Sequence, residues 1–142
     1  MTGHASQPSR VFSFPVRVYY EDTDLAGVVY YANYLRFMER ARTEWLLAQG
    51  ISQVALRDAE GLLFAVTAVD IRYLKPARFE DRLVVTVELT RRRRASLEVD
   101  QRILRDGPEG ELLCTARVSA ACLSVEGLRP RPIPGHLFRE GD

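Results

Sequence analysis

Histidine is scarce: the 142 residues hold two, His4 and His136, one in each terminal segment. A Ser–His–Asp or Cys–His device therefore lacks an imidazole base in the body of the chain. Cysteine is as sparse, and neither Cys114 nor Cys122 has a second Cys or His at a metal-ligand spacing, which argues against zinc. The two fall in one expected strand, too far apart to bridge, so reduced core thiols are expected. Neither GxGxxG nor GxxxxGK[ST] occurs, which removes the common nucleotide cradles. No apolar run approaches a membrane span, and MTGHASQPSR has no apolar signal core, so the expectation is a cytoplasmic protein without membrane insertion. Lysine is nearly missing too: Lys75 is the one lysine among 20 basic residues, leaving many planar forks suited to phosphate. A net charge of +1 demands no nucleic-acid partner, and no reader motif is present.

What is present reads as one domain, residues 11–142, behind a loose tail of residues 1–10. Phe12 to Tyr20 is strand-like, with Val16, Val18 and Tyr20 on one face and Pro15 favouring an edge. Glu21 to Gly27 breaks the pattern with three carboxylates and a glycine. A helix then starts between Val29 and Asn33 and runs to about Gln49, with Tyr34, Met38, Ala41, Trp45 and Ala48 as its apolar stripe. Asn33 is the expected N-cap, and Gly50 stands just past the end. Arg40 and Glu44 have a salt-bridging spacing, and Leu47, on the polar side, is a candidate contact with another subunit. Ser52 to Gly61 reads as a polar connection. Strands are expected over Leu62–Tyr73, about Leu83–Leu89, Ser96–Arg105 and Glu111–Val125. Asp-Gly-Pro-Glu-Gly at 106–110 is a hairpin turn, and the prolines of Leu128–Pro134 exclude that tail from the sheet, leaving it to cover an edge. One long helix followed by strands with short links predicts an α+β architecture, an antiparallel sheet of about five strands wrapped around the helix.

With imidazole removed, catalysis falls to carboxylates, hydroxyls and backbone groups. Asp22 and Asp24 precede the helix, and Gly27 permits close backbone approach. The positive end of a helix with its orphan N–H groups can hold an oxygen that gains charge, while a nearby Asp attacks the carbon or activates water. Acidic residues there also simply complement the dipole, and pattern alone leaves both roles open.

The run Tyr20 to Glu44, YEDTDLAGVVYYANYLRFMERARTE, closely resembles the signature of the 4-hydroxybenzoyl-CoA thioesterase family, nearest to the acyl-CoA thioesterases associated with the Tol–Pal system. The likeness continues through YLKPARFED at 73–81 and covers about residues 14–134. It implies the hot-dog fold, hydrolysis of acyl-CoA, no metal or redox cofactor, a homodimer or homotetramer with sites between subunits, and a link to acyl-carrier or envelope proteins. By that resemblance Asp24 matches the catalytic carboxylate, as nucleophile or general base. Tyr31 matches the residue whose backbone N–H points at the thioester oxygen. Gly27 and Val28, between them, are candidate substrate contacts. Many Tol–Pal-associated members carry His where this chain has Tyr31, and Tyr is no base near neutral pH, so only the backbone role transfers. Aliphatic and aromatic acyl groups both stay open.

Two further clusters have double readings. Glu39 is a helix carboxylate of a type some hot-dog enzymes use, but Arg42 three residues on makes an ion pair the expected role. Arg91, Arg92, Arg93 and Arg94 read either as a solvated strand end or as a clamp for coenzyme A phosphates, the resemblance favouring Arg93 and Arg94. The rival functions are a non-catalytic acyl-CoA or acyl-carrier binding module, and a hydratase or dehydratase, which would need a histidine near the helix.

Overall fold

The computed structural model describes residues 10–138; His4 and the expected tail, apart from Arg10, lie outside them. In chain order come β1 (Phe12–Arg17), a short 3-10 turn (Tyr20–Asp22), α1 (Tyr31–Ala48), α2 (Gln53–Glu60), β2 (Leu62–Tyr73), β3 (Arg82–Arg92), β4 (Ser96–Arg105) and β5 (Glu111–Ser124). The five strands form one sheet in the order β1-β3-β4-β5-β2, every pairing antiparallel. This is the expected α+β arrangement. No helix among the described residues is long and apolar enough to cross a membrane.

The 18 residues of α1 extend about 27 Å, enough to lie across the sheet. Its buried face carries Tyr34, Phe37, Met38, Ala41, Trp45 and Leu46. Ala48, expected in that stripe, is exposed, while Phe37 and Leu46 widen it, as a globular helix with more than one apolar position per turn requires. Leu83, Val85 and Val87 of β3, Val99 and Ile103 of β4, and Cys114 and Val118 of β5 meet this face in one core. Both cysteines are free and buried.

Several expectations need correction. Residues 53–60 form a second helix instead of a plain connection. Ser52 Oγ accepts the Ala55 N–H (3.1 Å), Leu56 is buried, and Gly61 closes the helix at φ 66°. β1 ends at Arg17 because the chain folds into the turn at Tyr20, whose side chain is exposed. The proline-rich tail, expected to cover an edge, does so only locally, on the side of β5 that β4 leaves open beyond Ala121. It turns back on the end of β5, with Ser124 N–H donating to Arg129 O (2.8 Å) and Arg131 N–H to Cys122 O (2.9 Å) around one isolated bridge, Leu123 to Pro130. Proline lacks the N–H that a longer ladder would need.

Candidate active site

Between β1 and α1 the chain makes a small closed loop. Asp24 N–H donates to Val28 O (2.9 Å), Gly27 N–H to Asp24 O (3.0 Å), and Thr23 bridges Val29. Gly27 has φ 79°, the left-handed geometry that a tight return needs and glycine takes without strain. Asp24 is exposed at this loop's corner, with Oδ1 accepting the Ala26 N–H (2.9 Å) and no ion pair among the described residues.

Asp22, the other acidic residue of the pair, has a different task. It is buried, its Oδ2 accepts Tyr19 N–H (2.8 Å), and its carbonyl accepts both Tyr30 N–H (3.2 Å) and Asn33 Nδ2 (2.9 Å). The helix therefore starts differently from the expectation. Tyr30 holds the N-cap position with no side-chain bond, and Asn33 sits within the first turn, its amide tied back to Asp22. Asn33 N–H donates to Tyr30 O (2.9 Å). The N–H groups of Tyr31 and Ala32 have no acceptor among the described residues, so they are the open donors at the positive end of α1.

The segment 76–81 braces this loop from behind. Ala77 O accepts Val29 N–H (2.9 Å), Phe79 N–H donates to Gly27 O (3.2 Å), and Val28 bridges Arg78. Ala77 N–H donates to the buried Tyr34 hydroxyl (2.9 Å), whose pKa burial raises. The brace is itself fastened by Arg105 of β4. Its guanidinium binds Asp81 and Glu111 (3.2 Å to Oε1) and donates to Pro76 O (3.0 Å), while Asp81 Oδ2 also accepts Arg78 N–H (2.8 Å). Motif reading named Asp22 only as one of two candidate carboxylates and Tyr34 only as the first residue of the apolar stripe, and it missed Arg105.

Around the loop the surface is apolar. Tyr20, Leu25, Tyr30, Tyr31 and Phe79 are all exposed, Leu25 completely. Tyr31 packs on Tyr73, with ring centroids 4.8 Å apart.

The arginine run is not beside this site. β1 pairs with β3 from Arg17–Arg82 to Phe12–Val87, so the loop after β1 lies at the start of β3 and the run lies at its end. At about 3.3 Å per residue that is roughly 30 Å along the strand. Arg91, Arg93 and Arg94 are exposed there. Arg92 is engaged by the chain's own carbonyls: Nε donates to Leu137 O (3.0 Å) and Nη2 to Pro134 O (3.1 Å) and Ile133 O (3.4 Å). Its geometry is that of a bolt for the C-terminal segment. The expected Glu39–Arg42 pair does not form, nor does Arg40–Glu44. Arg42 Nη1 donates instead to the buried Gln101 Oε1 (2.9 Å). Among the described residues no group of three His, Cys, Asp or Glu is placed to hold a metal ion.

The model of the thioesterase-like superfamily matches residues 18–140. The acyl-CoA thioester hydrolase YbgC of Escherichia coli O6:H1 is 44% identical over 130 residues, covering 92% of this chain and 95% of that one. The acyl-CoA thioesterase YbgC of Haemophilus influenzae is 42% identical, covering 87% and 88%. Among solved structures, the probable thioesterase from Bartonella henselae superposes with a TM-score of 0.80 at 35% identity, covering 87% of this chain and 99% of that one. With a carboxylate loop, an open helix start and these relatives along nearly its whole length, the chain belongs to the thioesterase-like superfamily.

Proposed function

We propose that this chain hydrolyses acyl-CoA thioesters to a carboxylic acid and free coenzyme A, using Asp24 and the start of α1. The observation that carries this is the pairing of an exposed carboxylate with two open N–H donors across one short loop. The thioester carbonyl oxygen takes the Tyr31 N–H, and Asp24 either removes a proton from the water that attacks the carbonyl carbon or attacks that carbon itself, giving a mixed anhydride that water then hydrolyses to the acid and free Asp24 while supplying the proton. The C–S bond breaks, the electron pair leaves on sulfur, and the proton ends on the thiol. A preorganised donor of this kind is worth about 2.7–4 kcal/mol of barrier. Gly27 and Val28 offer backbone along the same approach.

Arg91, Arg93 and Arg94 are the phosphate ligands in this reading, and Arg92 is left to its structural task. Because they stand roughly 30 Å from Asp24 along β3, the phosphates of a thioester at Asp24 are held by a second copy of the chain. Two features support such an assembly: the apolar ring about Asp24, and the 12-residue β2 at a sheet edge with Val66, Val69 and Tyr73 exposed.

One observation favours the rival binding module: Asp24 Oδ1 is occupied by Ala26 N–H, a turn that needs no chemistry. Thiol release from a panel of aliphatic and aromatic acyl-CoAs separates the two, with Asp24→Asn and Asp24→Ala alongside. Turnover by wild type and its loss in both variants is expected. Equal inertness of all three on every substrate leaves only the binding module.

A further inference from the structure

The sheet has a second face, turned away from α1, and it carries a polar hollow of about 310 Å³. Val85, Val87, Val99, Ile103, Cys114 and Val118 point into the core, so the residues alternating with them stand on this outer face. The antiparallel register sets them in two rows across the strands. In the first, Thr86, Arg102, Thr115 and Arg72 follow one another on β3, β4, β5 and β2, with Thr115 opposite both arginines. In the second, one pleat along, stand Glu88, Asp100, Arg117 and Asp70. All eight line the hollow.

The rows differ in charge and in what is satisfied. Arg117 is held by Asp100, Nε donating to Oδ1 (3.0 Å) and Nη2 to Oδ2 (3.4 Å). Glu88 and Asp70 have no ion pair among the described residues, and neither have Arg72 and Arg102 in the row beside them. Thr86 adds an independent sign. The β3–β4 pairing is interrupted between Val85–Ile103 and Glu88–Asp100, and in that gap Arg102 N–H donates to Thr86 Oγ1 (3.0 Å). Thr86 is 3% exposed, and its own O–H has no acceptor among the described residues. A buried hydroxyl ordinarily has one. An oxyanion in the hollow supplies that acceptor and gives two planar guanidinium forks a common counter-charge.

We propose that this hollow binds a phosphate monoester that also carries an ammonium group. The phosphate lies between Thr86 and Thr115, with Arg72 and Arg102 closing over it. The ammonium lies one row on, about 7 Å along the strands, against Asp70 and Glu88. Three arginines and three carboxylates line the hollow, so a bare anion gains from one row and is repelled by the other. An amine on the same molecule turns the second row from repulsive to attractive. The volume is at the lower end of the range for small-molecule sites. Because the hollow is on the face opposite α1, this binding does not depend on the function proposed above.

The test is calorimetric titration of glucosamine 6-phosphate into the full-length chain, with glucose 6-phosphate, glucosamine and inorganic phosphate as the other arms. Glucosamine 6-phosphate is expected to saturate, and each of the others to bind at least about tenfold more weakly. Arg72→Gln and Arg102→Gln, both exposed changes, are each expected to weaken it by about tenfold. Asp70→Asn is expected to weaken glucosamine 6-phosphate several-fold while leaving glucose 6-phosphate unchanged or tighter. Inorganic phosphate or glucosamine binding as tightly as glucosamine 6-phosphate, indifference to both arginine substitutions, or no saturable heat overturns the proposal. The ranking of the four compounds is read on the wild-type chain, so it stands whatever the variants do to folding.

Discussion

Replacing Arg105 by Met tests whether the segment behind the Asp24 loop is held from β4. Arg105 and Asp81 are each about one-fifth exposed, 21% and 20%. Removing one partner of a fully buried pair costs about 3–5 kcal/mol, and an exposed pair is worth about 0–1. At this burial, and with Arg78 N–H still on Asp81, the expected loss is about 2–3 kcal/mol. The Glu111 arm lies on open surface and adds nothing to that sum. For a chain of this size the change lowers Tm by roughly 6–12 °C. Urea titration of Arg105→Met, Asp81→Asn and the double variant gives the coupling, expected at about 1–2 kcal/mol. Because Ala77 and Phe79 hold Val29 and Gly27 directly, kcat is expected to fall further than the fraction unfolded explains. Additive single effects, or Arg105→Met within about 0.5 kcal/mol of wild type, would refute the reasoning.

Tyr34→Phe strips the acceptor from the Ala77 N–H and is expected to destabilise by about 1–3 kcal/mol, read by thermal denaturation. Burial pushes the Cys114 thiol up to about 12, so the folded state holds its proton more tightly than the unfolded chain. The stabilisation is complete below the unfolded value near 9 and is lost as pH rises from there towards 12; native Cys114 is expected to resist thiol-disulfide reagents at pH 8 and to react on unfolding. Arg93→Ala with Arg94→Ala is expected to raise KM for acyl-CoA several-fold with little change in kcat, more at low salt than at high. Arg92→Ala is expected to leave KM near wild type while speeding hydrogen exchange in residues 131–137, since its carbonyl partners lie there.

The strands and the long helix were legible because period-2 and period-3.6 apolar patterns survive in single residues such as Val85, Val87, Tyr34 and Ala41. The second helix was not. Its eight residues bury only Leu56, too little apolar repetition to show, although Ser52 and Gly61 in fact mark its two ends. The position of Asp24 before the helix was readable from order along the chain. What Asp22 and Asn33 do was not, since both act on main-chain groups that meet only after the turn at Tyr20–Asp22 forms. Arg105 and Gln101 were invisible for the same reason: each reaches across the sheet or up to α1 from a strand whose sequence shows only alternation. The arginine run shows the opposite hazard. Four adjacent, chemically identical residues were read together, as a solvated strand end or as a clamp, yet Arg92 is tied to the C-terminal carbonyls while its neighbours face solvent.

The claim that the open backbone donor of Tyr31 stabilises the reacting oxygen can be tested by deleting that N–H alone. Tyr31 is the first residue of α1, a position proline favours, and Tyr30 at φ −65°, ψ 137° already has the extended geometry proline requires before it. Tyr31→Pro should therefore keep the helix, while Tyr31→Ala keeps the donor and loses only the exposed ring. The account expects kcat on an acyl-CoA substrate to fall about 10²–10³-fold in Tyr31→Pro, with the circular dichroism spectrum unchanged, and to stay within a few-fold of wild type in Tyr31→Ala. A folded Tyr31→Pro that turns over as fast as Tyr31→Ala would contradict it.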